Sequence, residues 1–88
     1  MAARSLRRAS LLGPKPARRV WLKREIVKID AQLKLLEQHI RAQQERIEEL
    51  ERDGTETAAA RDFLVTLQDC YEAHETYRLR LVRDLETT

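Results

Sequence analysis

Cys70 and His74 stand four residues apart on what reads as a helix, so both fall on one face, and His39 belongs to a neighbouring layer of the preceding helix. A thiolate and two imidazoles are the ligand types that zinc prefers. The chain holds one cysteine and two histidines, so nothing further of that kind can close a structural site, and all three positions also fit a packed helical seam. No metal ligand is assigned, and no cofactor is expected. Glu45, Glu48, Glu49 and Glu51 supply carboxylates in quantity. General acid–base work needs an enclosed site that displaces a pKa, whereas these four decorate the solvated face of an exposed helix. No Gly-rich phosphate loop, Ser/His/Asp set or zinc-finger spacing occurs. The expectation is a protein with no catalytic residues, one that is not an enzyme.

The elements that carry these residues are easier to read than any chemistry. Leu22, Ile26, Ile29, Leu33, Leu36, Ile40, Gln43, Ile47 and Leu50 alternate at spacings of four and three. Asp53-Gly54 interrupts the pattern, and a second apolar stripe runs from Ala60 to Leu85. This predicts an all-α fold, a two-helix antiparallel coiled-coil hairpin over residues 17–88, preceded by a disordered basic leader over 1–16. Helix one is expected over 17–52, the turn over 53–56 and helix two over 57–86. The turn residues are Asp53, Gly54 as the left-handed helix stop, and Thr57 as the N-cap. The interaction seam is Ile29, Leu33, Leu36, Ile40, Ile47, Leu64, Leu67 and Leu81, with facing residues whose numbers total about 110. Gln43 is the one polar residue in the first helix's seam, placed to set register or to reach a backbone group.

Eighty-eight residues allow one domain with a small core. The seam is thin for the backbone it must order, and Val27, Leu35, Val65, Leu79 and Val82 lie off it. Self-association is therefore expected, most simply a homodimer that forms a four-helix bundle, or else docking on a partner helix.

Charge is unevenly placed. Residues 1–28 hold nine Lys or Arg against Glu25 alone, a net of +8, while residues 29–88 carry −6. Arg18, Arg19, Lys23, Arg24 and Lys28 form an anion-binding set around the first turns of helix one. They support an alternative function, an accessory protein that holds the phosphate backbone of nucleic acid non-specifically through its basic arm. Neither a recognition helix nor an aromatic platform for bases accompanies them. Trp21, with Val20 and Leu22, offers a short apolar edge for weak docking on anionic lipid, or caps the open end of the hairpin against Leu85. No stretch approaches the roughly 20 apolar residues of a membrane span. With one cysteine, the chain reads as soluble and cytoplasmic. Arg7-Arg8 lacks the apolar stretch of a twin-arginine export signal, Arg7-Arg8-Ala9-Ser10 matches a basic kinase consensus, and the acid-poor leader would suit an organelle presequence in a eukaryote.

The stretch His39-Ile40, Gln43, Glu45-Arg46-Ile47, Glu49-Leu50-Glu51-Arg52-Asp53-Gly54, Thr57, Ala60 and Leu64, followed by His74, Arg78 and Leu81, resembles a group of short alphaproteobacterial helical-hairpin proteins of unknown function with an E-R-D-G-x-x-T turn. The likeness covers about two-thirds of the chain. It implies a bacterial cytoplasmic hairpin, and it brings no activity, cofactor or partner. Residues 1–19 have no counterpart there, so a start at Val20, Leu22 or Val27 in place of Met1 is the alternative that the mass of the N-terminal peptide decides.

Overall fold

In a computed structural model, which describes residues 14–88, the chain is a hairpin of two helices. Helix α1 runs Pro14–Arg52 and helix α2 runs Ala58–Thr87. The helices pack against each other alone. The body is 15 Å across its thinnest direction, which is one helix thick. No helix among the described residues is long and apolar enough to cross a membrane.

α1 begins three residues earlier than its sequence suggests. Pro14 and Pro16 both sit in the first turn, where the N–H groups that proline lacks have no intrahelical partner in any residue type. The last three residues of the expected leader are therefore helical, and the rest of it lies outside the described residues. α2 is displaced by one residue at each end, from 57–86 to 58–87.

Gly54 stops α1 at φ +69°. Its N–H donates to the Glu51 carbonyl at 3.1 Å, and the Thr55 N–H reaches back to the Leu50 carbonyl at 2.8 Å. These are the two bonds of a Schellman motif, which satisfies carbonyls that the helix end would otherwise leave open. Thr57 occupies the N-cap position of α2, yet its hydroxyl caps no backbone N–H. The Glu56 carboxylate accepts from the Ala58 N–H at 3.0 Å instead, leaving the Thr57 Oγ1 to accept from Arg61 Nε at 3.0 Å. Arg61 also pairs with Glu51, which ties the first turn of α2 to the last turn of α1.

Register follows the expected pairing. Arg78 donates to Asp30 at 2.5 Å and the Tyr71 hydroxyl to Glu37 at 2.9 Å, two pairs whose numbers each total 108. The seam is not uniformly closed. Leu22, Ile29 and Leu81 are buried together, with Ile26 and Leu85 packed against them, at the open end of the hairpin. Ile47 is buried near the turn. Between these points Leu33, Leu36, Ile40, Leu64 and Leu67 are half-buried. Across the seam from Leu33, Leu36 and Ile40, α2 presents Arg78, His74 and Tyr71 in place of aliphatic side chains.

Candidate functional site

The polar links between the helices fall mainly along one flank. With Ile26, Leu33, Ile40 and Ile47 at position a of α1, and Leu64, Tyr71, Arg78 and Leu85 at position a of α2, Asp30, Glu37, Glu51 and Arg61 are all e positions. The contacts Asp30–Arg78, Glu37–Tyr71 and Glu51–Arg61 therefore lie on the same side. A groove on this flank is lined by Leu33, Glu72, Glu75, Thr76, Arg78 and Leu79. The Tyr71 phenol is held above its ordinary value of 10.0, first by its hydrogen bond to Glu37, then by burial and by the carboxylate charges of Glu37 and Glu75.

The opposite flank is different in kind. Its middle carries Gln32, Leu35, His39 and Ala42 from α1 and Thr66, Cys70, Ala73 and Tyr77 from α2, with no Lys, Arg, Asp or Glu among them; towards the turn it continues with Phe63 opposite Arg46. Two open grooves adjoin there. One is lined by Ile29, Gln32, Ala73, His74 and Tyr77, the other by Gln32, Leu35, Leu36, His39, Cys70 and His74. Leu35, which lines the second groove, is 55% exposed, and Phe63, towards the turn, is 53% exposed. The half-closed middle of the seam is what opens these grooves, since Leu36 and Ile29 form part of their floor.

His74 Nδ1 donates to the Cys70 carbonyl at 2.7 Å, and the Cys70 sulfur lies 3.7 Å from the same nitrogen. One ring nitrogen of His74 is thus committed to its own helix. Among the described residues, no group of three or more His, Cys, Asp or Glu side chains converges as a metal site. Gln43 Nε2 donates to the Ala60 carbonyl at 2.9 Å, which is the backbone contact its place near the turn suggested.

No family model, curated protein or solved structure matches this chain.

Of the eight seam residues named from the sequence, Ile29, Ile47 and Leu81 are buried and Leu33, Leu36, Ile40, Leu64 and Leu67 are half-buried. Leu22, completely buried, is the strongest member of the core, and its place in the heptad marked it. Trp21 is 48% exposed and lies outside the buried cluster, so it does not cap the open end; the neighbouring heptad position, Leu22, does that against Leu81 and Leu85. The five basic residues divide into two groups. Arg18 pairs with Asp84 at 3.2 Å and Arg19 donates to the Leu85 carbonyl at 3.4 Å, so both turn towards the end of α2. Lys23, Arg24 and Lys28 surround Val27 on the outside of α1, with Lys28 3.5 Å from Glu25. Glu56 and Arg61 were missed as turn residues because their roles depend on side-chain reach rather than spacing.

Proposed function

We propose that this chain is a non-enzymatic interaction module whose working surface is the uncharged flank of the hairpin. The single observation that carries this reading is the pair of exposed side chains Leu35 and Tyr77 that line adjoining open grooves, with exposed Phe63 further along the same flank. Solvated helix faces normally carry charge, and apolar side chains aligned at helical spacing favour a second helix as the ligand. The shape of the body agrees: one layer of two helices supports grooves but no enclosed chamber that could shift a carboxylate or exclude water from a reaction. The single cysteine and the likeness of the Glu49–Thr57 stretch to short alphaproteobacterial hairpins support a bacterial cytoplasmic setting.

Lys23, Arg24 and Lys28 favour a second reading, in which the protein holds a nucleic-acid backbone by counterion release. Capture of the full chain from its native cells, with and without nuclease, separates the two. Partners retained after nuclease support the interaction module. Material lost on nuclease treatment, together with binding that falls steeply with salt, supports the phosphate-binding reading.

A further inference from the structure

We propose that the occupant of the uncharged flank is a second copy of this chain, laid flank to flank with its turn at the opposite end. The inference rests on the interaction-module reading and adds to it the partner and the orientation.

Three observations carry it. First, a single layer of two helices leaves Leu35 55%, Phe63 53% and Tyr77 40% exposed on this flank, apolar surface that a second layer would cover. Second, the flank bears no charge from Thr66 to Tyr77, a span of about 16 Å along α2, and Arg46, which lies opposite Phe63 at its turn end, is already paired with Glu49, so two copies meet there without burying an unpaired ion. Third, charge is polarised along the hairpin. Its open end, residues 17–30 and 78–88, holds eight bases against four acids, while the turn end, residues 43–66, holds three bases against seven acids.

The third observation fixes the orientation. A two-fold axis along the hairpin would stack turn on turn and open end on open end, setting net +4 against +4 and −4 against −4. A two-fold axis across it, through the level of Cys70, sets each basic end over the partner's acidic turn. Every neighbouring helix pair is antiparallel under either axis, so the helix dipoles are served equally and the end-to-end charge decides. The polar flank, crossed by Asp30–Arg78, Glu37–Tyr71 and Glu51–Arg61, faces solvent on both outer sides.

The test uses the full chain. Light scattering of the wild type at tens of micromolar should give twice the chain mass. L35E combined with F63E should halve that mass while leaving helical circular dichroism intact, because both side chains are already half exposed in one hairpin. V27E, on the other flank, should leave the dimer in place. Independently, a spin label at E56C in a C70A background reads the distance between turns. The crossed arrangement predicts about 45 Å, and turns at the same end predict less than about 25 Å. A monomeric wild type overturns the inference, as does a dimer dispersed by V27E but not by the flank pair, or a short distance between turns. Each of those results leaves the interaction-module reading to be judged by the capture experiment, which does not depend on self-association.

Discussion

Replacing Leu22 by alanine tests the packing that closes the hairpin. Leu22 is the one side chain with no exposed surface, and it contacts the only buried cluster among the described residues. The change removes three carbons from that cluster, a transfer loss of about 2.4 kcal/mol at roughly 0.8 kcal/mol per carbon. A residual cavity adds to this in thick cores, where Leu→Ala costs about 2.7–5 kcal/mol. Here the wall is one helix deep and near a chain end, so Ile26 and Leu85 can close in and the cavity contribution should be small. The expected cost is about 2–3 kcal/mol, which for a domain of this size moves the thermal midpoint down by on the order of 10–20 °C. Urea and thermal unfolding followed by circular dichroism, with both proteins at one concentration, measures it. V27A is the control: Val27 is 69% exposed, and alanine is the better helix former, so the midpoint should hold or rise slightly. A cost below about 1 kcal/mol for L22A, or equal costs for L22A and V27A, would refute the placement of the core at the open end.

Three further perturbations probe the rest of the molecule. G54A should cost about 1 kcal/mol from its left-handed backbone alone, since a Cβ there would meet nothing within 4 Å; a loss of several kcal/mol in chemical denaturation would point to a clash that the structure lacks. I40D should cost a few kcal/mol by placing a carboxylate in the half-buried seam, and retention of full helicity and mass would count against the register. Tyr71 binds its proton more tightly in the folded hairpin than in the unfolded chain, so its contribution is complete below pH 10 and is lost as pH rises through the raised value. Thermal midpoints of the wild type should accordingly fall more than those of Y71F above pH 10, and parallel curves would exclude the Glu37 contact in solution.

The hairpin, its turn and its pairing were legible because each depends on local periodicity: a stripe at spacings of three and four, one glycine, and a second stripe of matching length. The depth of burial was not legible in the same way. Leu36 and Leu22 occupy equivalent heptad positions, yet only Leu22 is sealed, because what faces each of them is decided by the other helix. His74 and Tyr71 hold the middle of the seam ajar, while Leu81 and Leu85 close its end. The start of α1 was obscured by two prolines that usually signal a break but are tolerated in a first turn. The capping role passed from Thr57 to Glu56 because a long carboxylate can reach the N–H that the threonine leaves unmet. The uncharged flank was visible only in fragments, as Leu35 off the main seam and Phe63, Cys70 and Tyr77 widening it. The fold was needed to put them side by side.

The cross-helix contacts form a ladder in sequence separation: 10 residues for Arg61–Glu51, 17 for Gln43–Ala60, 34 for Tyr71–Glu37, 48 for Arg78–Asp30 and 66 for Arg18–Asp84. Once the Gly54 turn has formed, each rung closes only the short stretch left open by the one before, so the entropic cost of joining distant parts of the chain is met in small steps. Such a topology favours folding as a zipper from the turn outward, and stopped-flow refolding should fall at the fast end of the range for a chain of this size. Its tightest packing, around Leu22, then forms last, at the end where a zipper would begin to come undone. The molecule is fastened most firmly where its topology protects it least, and amide exchange should show the stretch around Leu22 and Leu81 protected to the level of Leu36 and His74 rather than fraying ahead of it.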